Sequence, residues 1–228
     1  MADDLDAVVR RADPDRWLAS RFIADRDRRA YIVALYAFDH ELTRVRRLAS
    51  NALLAEIRLT WWREVLDELF AGGPVRFHPV ARALADVVAR YNLPREPLEA
   101  MIEARIAVLD KAALNADEAL QWADGVGGSM AVLAALILDA AAPPETAAPA
   151  GRVWGLILLR RAGLVGGDID RLIKESLTVA SRAARALSAA AFPAVACATL
   201  ARARPSSGPR PALETRLRLI WAVARGIL

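Results

Sequence analysis

The chain has 228 residues, of which 55% are hydrophobic and only 6% aromatic. This length and apolar content are enough for one large domain with a sizeable core. The formal net charge is +4 and the sequence pI is about 9.8, a balance that allows binding to nucleic acid, anionic lipid or a phosphorylated ligand. No block of consecutive basic residues resembles a nucleic-acid-binding tail, and zinc-finger spacing is absent from the sequence. The composition therefore argues against nucleic acid as a partner.

The cysteine count and the apolar stretches indicate the compartment. Cys197 is the only cysteine, which excludes a disulfide within the chain and suits a reducing environment. The first 17 residues are charged throughout, unlike a signal peptide. The most apolar stretch, GVGGSMAVLAALILDAAA at 125–142, is short of the roughly 20 apolar residues that a spanning helix needs. We predict a cytoplasmic protein in which this stretch is a buried helix, and leave open peripheral contact with the inner face of a membrane.

The hydrophobic periodicity predicts helices along the whole chain after residue 27. A first helix at 27–48 carries one apolar stripe at spacings of three and four: Tyr31, Leu35, Phe38, Leu42 and Val45. A second at 51–70 begins at Asn51, a good N-cap residue, and ends before the Gly72-Gly73-Pro74 breaker. A third begins at His78-Pro79 and ends before Asn92.

Prolines and glycines delimit the remaining predicted helices. A fourth covers 96–110, with Pro97 in its first turn. A fifth covers 116–140 and contains the GVGG cluster, and 140–151 is predicted to be a loop. A sixth at 151–163, a seventh at 168–190 and a last helix at 212–228 follow, with a flexible connector, RPSSGPRP, at 204–211. We predict an all-α protein with a single domain.

Six segments in this order resemble the squalene/phytoene synthase family. They are RRAYIVALYAF (28–38), IRLTWWREVLDELF (57–70), HPVARAL (78–84), LPREPLEAMIEA (93–104), WADGVGG (122–128) and WGLILLRR (154–161). The resemblance implies an isoprenoid-synthase-like helical bundle around a central cavity. Enzymes of the family join two prenyl diphosphates, and two aspartate-rich motifs on opposing helices hold the magnesium ions that bind these substrates. Magnesium prefers such oxygen ligands and neutralises the leaving group.

The first aspartate-rich motif of the family lies a few residues after a Tyr-Ala segment. When Tyr36-Ala37 is placed on that segment, Thr43, Arg44 and Arg47 occupy the three aspartate positions. A guanidinium group has no acceptor atom for a metal ion. The nearest carboxylates, Asp39 and Glu41, point in different directions, and we interpret them as solvated or as paired with nearby arginines.

The second motif of the family is aligned through Arg160. This alignment puts Trp154, Ile157 and Arg161 where the family has Gln, Asn and Asp. Further on, Asp168 and Asp170 are two residues apart and do not share a helix face. Upstream, Asp124 is the carboxylate expected nearest the cavity, and Gly128 matches a family glycine that permits close helix packing.

A cluster of tryptophan and arginine on the second helix is a candidate surface. Arg58, Trp61, Trp62 and Arg63 suit a boundary between apolar and polar surroundings, so they could contact a lipid or a partner protein. The structural alternative is that one tryptophan packs in the core and that Arg63 pairs with Asp67 at i+4.

The leading functional hypothesis is a family member that no longer catalyses prenyl transfer. It has no catalytic residue, metal site or cofactor, and it binds a lipid or prenyl ligand or helps to assemble a membrane enzyme. The segments 35–42, 57–64 and 78–84 resemble more closely the branch of the family that includes a mitochondrial respiratory complex I assembly factor than they resemble the enzymes.

Three alternatives stay open at this point. An active magnesium-dependent prenyl synthase would have to rebuild its metal sites from Asp39, Glu41, Asp124 or Asp168. A metal-independent site could hold a prenyl phosphate or an acidic lipid through Arg44, Arg47, Arg160 and Arg161, because guanidinium groups match phosphate geometry. A scaffold would bind another protein through Trp61 and Trp62.

Overall fold

The computed structural model of the chain describes residues 2–49, 51–202 and 212–228. These residues are helical without a β-strand, and an isolated bridge joins Leu114 to Val165. The predicted connector at 204–211 lies outside the described residues. The all-α prediction is confirmed for the part of the chain that is described.

Two short helices precede the first predicted one, where the sequence pattern predicts none. They are α1 (Ala2–Ala12) and α2 (Pro14–Ser20). Asp13 separates them and caps α2, because its side chain accepts a hydrogen bond from the backbone N–H of Arg16 at 3.0 Å. α1 packs along α3, so the N-terminal segment is part of the core.

The next four helices follow the predicted order. They are α3 (Arg26–Leu48), α4 (Ala52–Phe70), α5 (Pro79–Tyr91) and α6 (Arg95–Ile106). Asn51 caps α4 by accepting from the N–H of Leu54 at 2.9 Å, as its residue type predicts. Asn92 ends α5 in the left-handed conformation, with φ 47°. α6 ends at Ile106, four residues before the predicted end.

The predicted fifth helix is continuous but changes its winding. α7 (Ala116–Ala123) passes through a π-turn (Asp124–Gly128) into α8 (Ser129–Leu138). By length and composition the whole segment Ala116–Leu138 could cross a bilayer, but 56% of its most apolar window is buried inside the fold. That burial agrees with the predicted core helix.

The prediction of a loop at 140–151 is wrong for most of its length, because α9 (Pro144–Ala162) begins there. Pro144 occupies the first turn, where the missing N–H costs little, and Pro149 removes one hydrogen bond further on. Thr146, Ala147 and Ala150 of this segment are buried. Their tertiary packing stabilises a helix that the local pattern does not predict.

The C-terminal part of the chain closes the core. α10 (Ile169–Ala183) ends seven residues before the predicted end and is followed by short 3₁₀ turns at Ala184–Ala186, Phe192–Ala194 and Ala196–Arg202. α11 (Ala212–Arg225) packs on the last of these turns. One apolar core joins Leu5 near the N-terminus to Leu228 at the C-terminus.

Candidate functional site

The residues at the first motif position lie on the C-terminal half of α3. Asp39 is buried, with 1% of its surface exposed, whereas Thr43, Arg44 and Arg47 are exposed. Arg44 forms an ion pair with Glu41 at 2.9 Å, one turn earlier. The interpretation of Asp39 as solvated is therefore wrong, and the alternative that it pairs with arginines is correct.

Asp39 is held between two arginines that approach from different helices. Arg16 of α2 and Arg105 of α6 each donate to a different carboxylate oxygen of Asp39. Both arginines are buried, with 6% of their surface exposed. Arg105 also donates to the hydroxyl of Thr43 at 3.1 Å. We call Arg16, Asp39 and Arg105 the buried charge network.

Further contacts satisfy the two buried guanidinium groups. Arg16 also pairs with Asp13 and lies 4.8 Å from the ring centroid of Tyr36. Arg105 donates to the backbone carbonyl of Met101 at 2.7 Å. Burial alone would raise the pKa of Asp39, but the two guanidinium groups outweigh it and hold that pKa below its ordinary value. Each oxygen of the Asp39 carboxylate thus accepts a hydrogen bond from an arginine.

The residues at the second motif position lie on α9, and two of them fill the interior. Ile157 is completely buried and Trp154 is 4% exposed. The indole N–H of Trp154 has no hydrogen-bond partner among the described residues. Arg160 pairs with Asp170 at 2.6 Å, and Arg161 pairs with Asp15 at 2.7 Å.

The four arginines proposed as a phosphate site do not line the same groove. Arg44 and Arg47 line a groove beside α1, and neither Arg160 nor Arg161 lines it. Each of the latter two already has a carboxylate partner. A metal-independent site made of all four stays a prediction.

The resemblance implies a central cavity, and two interior pockets beside the motif residues are small. One of about 20 Å³ lies among Arg16, Tyr36, Trp154 and Cys197. A second of about 80 Å³ lies beside the buried charge network. A single water needs roughly 10–15 Å³ on this measure, so the first pocket has room for about one.

Small residues pack closely where α9 meets the π-turn and the end of α7, and they leave little space between these elements. A Cβ added at Gly127 would be 2.1 Å from the carbonyl oxygen of Gly151, and one at Gly155 would be 2.7 Å from the Cα of Ala123. The expected close packing at Gly128 is not seen, because its nearest such contact is 3.6 Å, an ordinary distance. The π-turn and α9 meet through their neighbouring glycines instead.

Asp124 does not line either interior pocket, contrary to expectation. It begins the π-turn and receives two hydrogen bonds from Arg152 of α9, at 2.6 and 2.8 Å. Its side chain is 44% exposed. Asp124 therefore links two helices at the surface.

The tryptophan cluster on α4 is divided between the core and the surface. Trp62 is buried, with its ring centroid 5.3 Å from that of Phe38. Trp61 is half-buried, and the guanidinium of Arg76 lies 5.2 Å from its ring centroid. Arg58 is exposed. The structural alternative is thus correct for Trp62, and a binding role for the exposed part of the cluster stays a prediction.

The predicted pairing of Arg63 with Asp67 along α4 is wrong. Arg63 pairs instead with Glu103 of α6, at 2.5 Å, and Asp67 pairs with Arg95 at the start of α6. Both ion pairs cross from α4 to α6. Because α4 and α6 pack against each other, Arg63 pairs with a carboxylate of α6 and not with Asp67, one turn further along α4.

The side chains at the two motif positions do not fit a magnesium ion. Among the described residues, no group of three or more His, Cys, Asp or Glu side chains is placed to hold a metal. Asp39 is bound by two arginines, and Asp168 caps α10 by accepting from the N–H of Arg171. Thr43 offers one hydroxyl oxygen, which is less than the oxygen-rich shell that magnesium requires.

The sequence profile of the squalene/phytoene synthase family matches residues 9–165, well over half of the chain. The chain belongs to this family. Two solved structures share the fold along nearly the whole length. A dehydrosqualene synthase in complex with ligand has a TM-score of 0.69 at 14% identity, covering 98% of this chain and 95% of that one. A squalene synthase from Alicyclobacillus acidocaldarius has a TM-score of 0.66 at 16% identity, covering 99% and 94%.

The relatives of higher sequence identity carry a different name. NADH dehydrogenase (ubiquinone) complex I, assembly factor 6, from Bos taurus is 28% identical over 169 residues, which cover 72% of this chain and 50% of the relative. The Homo sapiens protein of the same name is 28% identical over 159 residues, covering 68% and 47%. The chain spans about half the length of these relatives.

The alignment with the squalene/phytoene synthase family places Asp39 beside the first motif, but it does not identify the arginines that bind this carboxylate. Arg105 follows Leu98, Met101 and Ile102 at the next position of the buried stripe of α6, a place where charge is uncommon. On the buried face of α3, Asp39 lies four residues after Leu35 and three before Leu42. A charged residue at helical spacing from apolar residues on each of the two helices is the sequence signal that could have indicated this pair.

Proposed function

We propose that this protein is a non-catalytic member of the squalene/phytoene synthase family that assists the assembly of a respiratory NADH dehydrogenase of the complex I type. Its relatives of higher sequence identity are named as assembly factors for that complex. The resemblance of segments 35–42, 57–64 and 78–84 to the same branch supports the proposal. The protein acts in the cytoplasm, with peripheral contact at the inner face of the membrane where such a complex is built.

The observation that carries the non-catalytic part is the buried charge network. Asp39 is the only buried carboxylate in the described residues, and it lies next to the first motif position. Arg16 and Arg105 occupy both of its oxygens. A magnesium ion would have to displace two buried guanidinium groups. Arg16 would keep its pair with Asp13, but Arg105 would be left buried without a counter-charge, a situation that costs several kcal/mol.

The filled interior supports the same proposal. Pockets that enclose a ligand of moderate size typically hold about 300–1,000 Å³. The two interior pockets beside the motif positions hold about 20 and 80 Å³, and the larger groove of about 470 Å³ at Arg44 and Arg47 lies between α1 and α3. Trp154 and Ile157 lie where the enzymes of the family have polar residues, and both are buried. A prenyl chain would have to displace packed side chains.

The first experiment is a pyrophosphate-release assay on the pure protein with farnesyl and geranylgeranyl diphosphate. The assay is run with and without magnesium, and an active squalene synthase is the positive control. We expect no magnesium-dependent release from folded protein. Turnover that requires magnesium would overturn the non-catalytic proposal and favour the prenyl synthase alternative.

The assembly role has a separate test. In cells that naturally make this protein, its gene is deleted and the amount of assembled NADH dehydrogenase is measured by native gel electrophoresis with activity staining. We expect less assembled complex, with recovery when the wild-type gene is returned. An unchanged amount of complex in the deletion strain would overturn the assembly proposal while leaving the non-catalytic one intact.

A further inference from the structure

An exposed apolar surface lies at the corner where α3 meets α4. Leu48 ends α3, and Leu53, Leu54 and Ile57 occupy the first turns of α4. Their exposed fractions are 54%, 65%, 43% and 56%. Large aliphatic side chains exposed together mark a contact surface more often than a free one. We call these four residues the apolar corner.

A groove rich in arginine adjoins the apolar corner. It has a volume of about 470 Å³, lies between α1 and α3, and is lined by Val8, Arg11, Ala12, His40, Glu41, Arg44, Arg47 and Leu48. Leu48 lines this groove at the end of α3, five residues before Leu53 of the apolar corner. We call this feature the basic groove.

The positive charge of this surface exceeds its negative charge. Arg11, Arg44 and Arg47 lie in the basic groove, and Arg58 is exposed one residue after Ile57. The carboxylates on the same segments are Glu41, which pairs with Arg44, and the exposed Glu56. Among the described residues, the guanidinium groups of Arg11, Arg47 and Arg58 have no hydrogen-bond or ion-pair partner. Three arginine side chains are therefore available to an anion.

We propose that the apolar corner and the basic groove together form a docking surface for an anionic phospholipid bilayer. Leucine and isoleucine side chains bury their apolar area at the boundary between headgroups and acyl chains. Arginine side chains beside them engage lipid phosphates, which guanidinium groups match in geometry. A free phosphate would use the groove but leave the corner exposed to water. A bilayer can contact the apolar corner and the basic groove at the same time. This inference does not depend on the proposed assembly role.

His40 provides a probe inside the basic groove. Burial lowers its pKa, and the nearby Arg44 and Arg47 lower it further, while Glu41 and Asp39 partly oppose them. A phosphate bound beside these arginines offsets their charge. We therefore expect the pKa of His40, followed by NMR of the full chain, to rise when anionic lipid is bound.

The test is sedimentation of the full chain with vesicles of phosphatidylcholine alone or mixed with phosphatidylglycerol. We expect binding to the mixed vesicles that weakens as salt is added. Each surface arginine contributes about 1 kcal/mol near such a membrane, or about fivefold in partitioning. The double variant Arg11→Gln/Arg47→Gln, which changes two unpaired arginines of the basic groove, is thus expected to bind about 25-fold more weakly. The variant Leu53→Ser/Ile57→Ser is expected to lose binding at the same lipid composition.

Two control variants change the same types of side chain at other places on the surface. Leu213→Ser/Leu217→Ser changes exposed leucines on α11, with exposed fractions of 67% and 56%. Arg171→Gln removes an exposed arginine from α10. We expect both controls to bind as the wild type does. Circular dichroism of each variant checks that it is folded, which is expected because all the changed side chains are exposed.

Several outcomes would overturn the docking proposal. Equal binding to neutral and anionic vesicles would remove the role of the arginines. Loss of binding in the α11 control alone would move the membrane contact to α11. Failure of any vesicle to bind, with inorganic phosphate still shifting the pKa of His40, would leave an anion site without a membrane role. Failure to bind vesicles together with capture of a purified protein partner would assign the surface to protein contact.

Discussion

Asp39 of α3 and Arg105 of α6, 66 residues apart in sequence, form a buried ion pair one turn before Thr43. Arg16 of α2 completes the network on the other carboxylate oxygen. One carboxylate therefore joins three helices, α2, α3 and α6.

Replacing Asp39 by Asn is expected to destabilise the protein strongly. The change leaves Arg16 and Arg105 buried without their shared counter-charge, which typically costs about 3–5 kcal/mol. Urea unfolding followed by circular dichroism measures the loss in free energy of unfolding. The matched control is Asp170→Asn, which breaks the pair with Arg160 at a carboxylate that is 58% exposed and should cost less than about 1 kcal/mol. Equal effects of the two changes would contradict a special role for the buried network.

The stabilisation by Asp39 is expected to depend on pH in the acid range. Its pKa in the folded protein is below the value of about 3.9 that it has in the unfolded chain, because Arg16 and Arg105 outweigh burial. The unfolded state therefore binds the proton first as the pH falls. The contribution of the ionised Asp39 to the free energy of unfolding is fully present above about pH 4, and it is lost as the pH falls through the folded-state pKa.

Comparison with Asp39→Asn isolates this contribution from other acidic groups. We expect the difference in free energy of unfolding between wild type and variant to be constant near neutral pH and to shrink below about pH 4. Urea unfolding at a series of pH values measures it. A difference that stayed the same down to acid pH would show that folding does not lower the pKa of Asp39.

Adding a Cβ atom where the π-turn contacts α9 is expected to destabilise the protein. In Gly151→Ala the new methyl group would lie 2.1 Å from the carbonyl oxygen of Gly127, so the two elements must separate. Overpacking of this kind usually costs about 1–3 kcal/mol. Gly128→Ala is the control, because its Cβ would meet its nearest neighbour at 3.6 Å. Thermal unfolding should show a clear fall in Tm for the first change and little change or a gain for the second. The reverse order would contradict this packing.

Magnesium and a prenyl diphosphate are expected to leave the stability of the protein unchanged. A ligand that binds the folded state raises its stability by about 2.7 kcal/mol at a concentration 100 times its Kd. Differential scanning fluorimetry with magnesium, with farnesyl diphosphate and with both measures any shift in Tm. An active squalene synthase is the positive control. A rise in Tm that requires both additives together would argue against the proposed non-catalytic role.

The amino-acid sequence by itself determined the helical class and most helix positions. Stripes such as that of α3, caps such as Asn51 and the Gly72-Gly73-Pro74 breaker act within one or two turns, so they can be read without knowledge of the fold. The ordered segments also identified the family. The sequence placed Asp39 beside the first motif, but it did not show that this carboxylate is enclosed.

Only the tertiary structure decided the partners of these residues. Asp39 pairs with arginines 23 and 66 residues away, and Arg63 reaches Glu103 on α6 instead of Asp67 on its own helix. The helix at the start of α9 likewise persists through Pro149 because its neighbours are buried. Local patterns describe the preferences of a segment, whereas ion pairs, burial and cavity volume depend on which segments pack together. Those quantities exist only once the chain has folded.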